Sequence, residues 1–185
     1  MNQNQKGKRI ERDLVAWLKE NGIESVRRTK QYNGEGLSDV VAPEELPSFH
    51  LESKGTKTSK IPRSVLKKWF KQLEDDCKGL LPILFQRPNN KDLVCLITPF
   101  VAEKLEMTTW AGVQPTFGDS FNAHDWLVQA DETKRILLEI YPDREVAIPL
   151  AFAYEVEPKK VFLAFWAKDV LTYMKSYEER RRANA

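Results

Sequence analysis

The sequence predicts an α/β fold in which helices cover the faces of a central mixed sheet, and three observations predict it. Apolar residues recur at helical spacing in several segments, with short apolar runs between them bounded by glycine, proline and asparagine. Through residues 8–107 these segments follow the order helix, strand, strand, strand, helix, strand, strand, helix, which suits a sheet covered by helices. A chain of 185 residues, 42% hydrophobic and 30% charged, is sized for one such core.

Each element has its own signal. Ile10, Leu14, Trp17 and Leu18 mark a helix over 8–21, stopped by Asn21-Gly22. Residues 24–30 read as a short strand, 31–36 as a turn-rich loop, and 37–42 as a second strand. After a turn over 43–47, residues 49–54 form a third strand, paired with the second as a hairpin. A helix begins within 59–64 with Pro62 in its first turn. It buries Val65, Leu66, Trp69, Phe70, Leu73 and Cys77, and ends at Gly79. Strands over 81–86 and 93–98 flank Pro88-Asn89-Asn90, and a short helix covers 100–107.

After Met107 the character changes. Trp110, Phe117, Phe121 and Trp126 lie among glycines and proline; they can stack on unpaired bases, but a small hydrophobic cluster that ties down the C-terminal half is the favoured reading. A helix is expected over 131–140, strands over 146–156 and 161–165, and a last helix from about residue 168 to a solvated Arg180-Arg181-Arg182 end. The chain thus divides into a core, 1–107, and a C-terminal α+β elaboration, 108–185, packed on it.

Composition excludes several classes. The longest uncharged apolar run, 146–154, contains Pro149 and is far shorter than the ~20 residues of a membrane span. No apolar stretch follows the N-terminus, so no signal peptide is expected. Two cysteines, Cys77 and Cys95, cannot knit a disulfide scaffold, and a cytoplasmic location is the expectation. The net charge of +2 hides a strong asymmetry. Between Lys54 and Lys71 every charged residue is basic: Lys54, Lys57, Lys60, Arg63, Lys67, Lys68 and Lys71. Lys6, Lys8, Arg9 and Arg12 form a second basic cluster, and Arg27, Arg28 and Lys30 a third. Local basicity in a nearly neutral chain points to a polyanionic partner, although solvated helix faces also read this way.

Glu11, Asp39, Glu52 and Lys54 are the candidate chemical groups. Strand alternation puts Glu52 and Lys54 on one face and Phe49, Leu51 and Ser53 on the other. Asp39, on the preceding hairpin strand, can share the Glu52 face, and Glu11 borders the buried stripe of the first helix. Three acids with a lysine suit Mg²⁺, a hard cation held by carboxylates, phosphate and water. Such a site hydrolyses phosphodiesters, and the basic run after Lys54 would hold a nucleic-acid backbone beside it. An exposed edge-strand face is the alternative for Glu52 and Lys54.

Lys6-Gly7 with Glu11-Arg12-Asp13-Leu14, then Gly36-Leu37-Ser38-Asp39-Val40-Val41, then Leu51-Glu52-Ser53-Lys54 resemble the motifs of the PD-(D/E)XK nuclease superfamily. The nearest likeness is to the archaeal-type and phage Holliday junction resolvases, over residues 6–98. The resemblance implies a restriction-endonuclease-like core and an Mg²⁺-dependent endodeoxyribonuclease, with Mn²⁺ as substitute. It implies branched DNA as substrate, a homodimer, and a role in recombination and repair; a phage or mobile-element origin is compatible with it. Asp39 and Glu52 would bind the metal, Glu11 would complete the acidic site, and Lys54 would assist the water. Arg27 or Arg28 would contact phosphate, beside Lys6, Lys8, Arg9, Lys57, Lys60 and Arg63, and Gln72 would be an accessory group. Two departures stand out: Ser38 replaces the usual proline, and residues after Met107 have no counterpart in compact resolvases. The alternatives are another nuclease of the superfamily, restriction-type or flap-trimming, or a binding protein of the same fold that does not cut.

Other motifs carry less. Gly55-Thr56-Lys57-Thr58-Ser59 lacks the glycine spacing of a phosphate-binding loop and reads as a basic loop touching DNA. Cys77, Cys95, His50 and His124 show no zinc-ligand spacing, and no serine-hydrolase elbow is present. His50 points to the Glu52 side of its strand, either lining the site or serving as a structural or surface histidine.

Overall fold

A computed structural model describes residues 3–29, 38–108, 113–140 and 151–185. The first half comprises α1 (Gln3–Glu20), β1 (Arg27–Arg28), β2 (Val40–Val41), β3 (Phe49–Thr56), β4 (Ile61–Pro62), α2 (Arg63–Asp76), β5 (Leu81–Pro88), β6 (Val94–Ile97) and α3 (Pro99–Lys104). The second comprises β7 (Ser120–Phe121), α4 (Ala123–Ile140), β8 (Phe152–Glu157), β9 (Lys160–Trp166) and α5 (Ala167–Ala183). Seven strands make one sheet in the order β1-β2-β3-β5-β6-β9-β8, and β4 pairs with β7 apart from it. β3 and β5 run parallel from Phe49↔Leu81 to Thr56↔Pro88, so the chain must cross over between them, and α2 is that crossover. The other pairings are antiparallel. This is the expected α/β architecture, a mixed sheet flanked by helices in the manner of restriction endonucleases.

Period-two burial creates two cores. Phe49, Leu51, Ile83, Phe85, Cys95, Leu163 and Phe165 face α1, α3 and α5, where Leu14, Leu18, Val101, Val170 and Met174 meet them. Leu84, Val94, Leu96, Phe162 and Ala164 face the other way, onto Leu66, Phe70 and Leu73 of α2 and Leu127 of α4. Each large apolar side chain buried this way contributes roughly 1.5–3 kcal/mol. α1 lies close on β3 because Gly55 has no side chain: a Cβ there would stand 2.1 Å from Ile10 Cδ1.

Several boundaries differ from the sequence expectation, each for a local reason. β1 and β2 are only two residues long, paired through Arg27↔Val41 and Arg28↔Val40. The 31–36 loop lies outside the described residues, as do residues 146–150 of the expected strand and Trp110. α2 starts at Arg63, within the expected 59–64, but Pro62 is its N-cap and not part of its first turn, because Ile61 and Pro62 pair with Phe121 and Ser120, and the Arg63 N–H donates to Asp119 O (2.8 Å). α3 starts at Pro99, capped by Thr98 Oγ1. α4 begins at Ala123, eight residues before the expected start, and buries Ala123, His124, Leu127 and Ala130.

The C-terminal strands join the same sheet: β9 pairs with β6 from Val94↔Trp166 to Ile97↔Leu163. Of the aromatic stretch, Phe121 stacks on Tyr154 (5.0 Å between centroids) and meets Trp126 edge-on (5.4 Å), while Phe117 is exposed. Asp125 accepts from Lys91, Ser59 and Asn122, binding α4 to the loop after β3 and to the β5–β6 turn. Glu178 of α5 accepts from the Ser48 N–H (2.8 Å) at the entrance to β3. Cys77 and Cys95 are free thiols, and among the described residues no helix is long and apolar enough to cross a membrane.

Phe121 is fully buried between two aromatic rings. Phe121→Ala is therefore expected to cost about 3–5 kcal/mol of unfolding free energy, read as a shift of the urea midpoint. A loss below about 1 kcal/mol would show that this cluster does not tie the C-terminal half down.

Candidate active site

β3 delivers His50, Glu52 and Lys54 to the α2 face of the sheet, two residues apart. Glu52 is 2% exposed, and a carboxylate so buried needs charge and hydrogen bonds to compensate lost hydration. It has both. Lys54 Nζ donates to Glu52 Oε1 (2.5 Å), Gln72 Nε2 donates to the same oxygen (2.7 Å), and Lys54 Nζ also donates to Gln72 Oε1 (2.9 Å). Gln72 sits on α2, so the crossover helix closes a triangle over the strand. Burial pushes the Glu52 carboxyl up, but the facing His50 ring and the Lys54 ammonium outweigh it and hold the group below its ordinary value.

Asp39 arrives from the neighbouring segment. Val40 pairs with Leu51, so one further step of that antiparallel register sets Asp39 opposite Glu52. Its Oδ2 accepts from the Ser53 N–H (3.0 Å) and Ser53 Oγ (3.3 Å). Burial, and then the negative charge of Glu52, push its carboxyl up to about 6, against the opposing pull of the Ser53 N–H and Lys54. Glu11 stands at the border of this cluster on α1. Its Oε2 accepts from Arg28 Nε (2.7 Å) and pairs with Nη2 (2.5 Å).

The structure thus brings Asp39, Glu52, Lys54, Gln72 and His50 together, and commits Glu11 to Arg28. Among the described residues no three His, Cys, Asp or Glu side chains form a ready-made cage for an ion. Two neighbouring carboxylates still fit a hard divalent cation, because Mg²⁺ is commonly held by one or two carboxylates plus phosphate and water. Burial raises Asp39 first and the Glu52 charge second, and that second cause is what such an ion would relieve.

The family model described as "Archaeal holliday junction resolvase (hjc)" matches residues 2–96, over half of the chain. The chain belongs to the archaeal Holliday junction resolvase family. No curated protein and no solved structure matches it. The matched span of this resolvase-family chain holds every member of the cluster, from Glu11 to Gln72, and ends within β6.

The remaining candidates are dispersed. Lys8, Arg9, Arg27, Lys57 and Lys60 are exposed; of Lys6, only its place in α1 is described. Arg63 donates through Nε to Val156 O (2.8 Å), fastening α2 to β8. Sequence reasoning missed that Arg28 partners Glu11, that Ser53 anchors Asp39, and that Arg87 shares a wall with Arg9. Those two arginines line a cleft of about 330 Å³ with Asp13, Gly55 and Asn89. The register Gly55↔Arg87 carried the last signal, but only once the parallel β3–β5 pairing was known.

The elevated Asp39 pKa sets a sign. In the metal-free protein Asp39 holds its proton up to about pH 6 when folded, against about 3.9 when unfolded. The folded state binds more protons in that window, so this group removes roughly 2–3 kcal/mol of stability as pH rises from about 4 through about 6. Asp39→Asn should abolish that contribution, so that in chelator the variant gains on the parent as pH rises from 4.5 to about 7.5. Parallel urea-stability curves for the two proteins would refute the assignment.

Proposed function

We propose that the protein is a metal-dependent DNA endonuclease that hydrolyses phosphodiester bonds in branched DNA, four-way junctions foremost. The observation that carries the proposal is the Asp39–Glu52 carboxylate pair with the Lys54 ammonium fixed beside it, within a chain of the resolvase family. Asp39 and Glu52 are the residues that would hold Mg²⁺, with Mn²⁺ as substitute, and Glu11 lies next to them. When bound, such a cation neutralises charge developing on the scissile phosphate and acidifies water.

The chain's own groups supply orientation and electrostatics. Gln72 donates to Glu52 and accepts from Lys54, so one amide fixes both side chains. Among the described residues Lys54 uses two of its three N–H donors, on Glu52 and Gln72. The third is the natural donor to an attacking water or a phosphate oxygen, in a setting where a preorganised charge is worth more than in bulk water. Exposed Lys57, Lys60, Lys68 and Lys71 extend the positive surface from β3 along α2. The Arg9–Arg87 cleft opens on the α1 side of the sheet, one residue past Lys54. Phosphate contacts of this kind supply affinity without base selectivity. Symmetric cutting of a junction needs two such sites, which a homodimer provides. Residues 1–107 would form the nuclease core and 108–185 an elaboration on it, acting inside the cell where the DNA lies.

The test is a cleavage panel: four-way junction, linear duplex and single strand, each with Mg²⁺ or chelator, beside Asp39→Ala and Glu52→Ala, with the oligomer measured by light scattering. Junction-selective cutting by a dimer, lost in chelator and in both variants, is expected. Equal cutting of linear duplex would move the protein to the general nucleases, and binding without cutting in any metal would make it a binding protein.

Lys54→Ala should keep junction affinity within about two-fold while lowering kcat by about 10²–10³-fold, the size of a lost electrostatic donor. Unchanged turnover would remove the lysine from the mechanism.

A further inference from the structure

His50 is a buried polar side chain that the proposed chemistry leaves unused. It is 2% exposed, stands two residues before Glu52 on β3, and points to the same face. Its Nδ1 lies 2.9 Å from Ser38 Oγ. Its Nε2 lies 3.7 Å from Glu52 Oε2, beyond hydrogen-bond distance, and among the described residues this nitrogen has no hydrogen-bond partner. An unpaired buried polar atom costs about 1–3 kcal/mol, so packing alone would favour an apolar residue here.

The two ends of the ring touch the two segments that carry the acids. Ser38 immediately precedes Asp39, and Glu52 belongs to β3. Among the described residues those segments share one paired position, Val40↔Leu51, which sets Asp39 opposite Glu52 but leaves the distance between their side chains to other contacts. Asp39 is tied to β3 on one side through Ser53. On its other side the imidazole, held by Ser38, stands as a rigid planar spacer against the oxygen of Glu52 that neither Lys54 nor Gln72 occupies.

We propose that His50 is a positioning residue that sets the spacing of Asp39 and Glu52 by bridging the Ser38 hydroxyl to Glu52 Oε2, an inference that rests on those two acids holding a cation. The Ser38 hydroxyl donates to Nδ1, which leaves the ring proton on Nε2, directed at Oε2. The length of that second contact matters. At 3.7 Å it aims the carboxylate oxygen without consuming its lone pairs, which stay open to a metal. Outer partners of this kind typically alter metal affinity by 10–100-fold.

Mn²⁺ binding tests the proposal, measured by titration calorimetry and by loss of the free-ion EPR signal. The proteins are the parent, Ser38→Ala, His50→Leu, the double variant and His50→Gln, with folding followed by circular dichroism in chelator. The Mn²⁺ Kd should rise about tenfold in Ser38→Ala and in His50→Leu, and no further in the double variant. His50→Gln, which keeps an N–H donor near the place of the ring Nε2, should recover most of the loss. If His50→Leu does not fold, Ser38→Ala decides by itself. Mn²⁺ affinity within about two-fold of the parent in both single variants, or losses that add in the double, would overturn the positioning role. So would a nitrogen hyperfine coupling to bound Mn²⁺ that vanishes in His50→Leu, since it would make His50 a direct ligand. A parent that binds no Mn²⁺ defeats the cation reading and this inference together; a parent that binds while its variants bind equally defeats this inference alone.

Discussion

Burying the Glu52 carboxylate beside a lysine ammonium is the constraint around which the rest is arranged. Removing an ionised carboxylate from water is costly, and the cost is tolerable only when opposite charge and donors are in place. Glu52 obtains the charge from Lys54 on its own strand and a donor from Gln72 on α2. The crossover helix must therefore pack with Gln72 above the strand, and the Leu66–Phe70–Leu73 stripe secures that packing. Replacing such a pair with apolar residues of equal volume is often neutral or stabilising. Its presence in a buried strand is thus poorly explained by stability and well explained by chemistry.

A second carboxylate compounds the cost. Asp39 comes to the same place with its ionisation suppressed by burial and by Glu52. Placing two acids side by side stores repulsion that any divalent cation arriving with a phosphate can release. Among the described residues the topology achieves this with little material: a two-residue strand, one register position shared with β3, and side-chain contacts from Ser53 to Asp39 and from His50 to Ser38. Weak backbone pairing on that edge shifts the burden of precision onto side chains, so residues that touch no substrate have a say in the geometry.

How much of this was legible in the sequence follows from range. Strand alternation alone placed Glu52 and Lys54 on one face and His50 with them, because period two is intrinsic to β3. Helical periodicity identified α1 and α2, while Gln72 was singled out only through the resemblance to the nuclease motifs. Contacts that depend on long-range register were not legible. The Glu11–Arg28 pair joins a helix to a strand seventeen residues away, and the Arg9–Arg87 cleft exists only because β3 and β5 run parallel. The first turns of α4 were hidden for a different reason: His124 and Asp125, both of modest helix propensity, follow a glycine- and proline-bearing stretch, and the helix was expected only from residue 131. Tertiary contacts of Ala123, Leu127 and Ala130 override that preference.

The end of the family match has a structural meaning. The matched residues stop at 96, inside β6, and β6 uses one edge for β5 and the other for β9. A core ending there would leave β6 as an open edge strand of buried Val94, Cys95, Leu96 and Ile97, a template for pairing with other chains. In this chain β9 and then β8 continue the sheet instead, while Asp125 and the Phe121 cluster fasten the same segment to the loop after β3. The C-terminal part is therefore continuous with the hydrogen-bonding of the core, and it occupies the edge opposite to β1 and β2. Among the described residues β1 is the last strand on the side that carries Asp39 and Arg28.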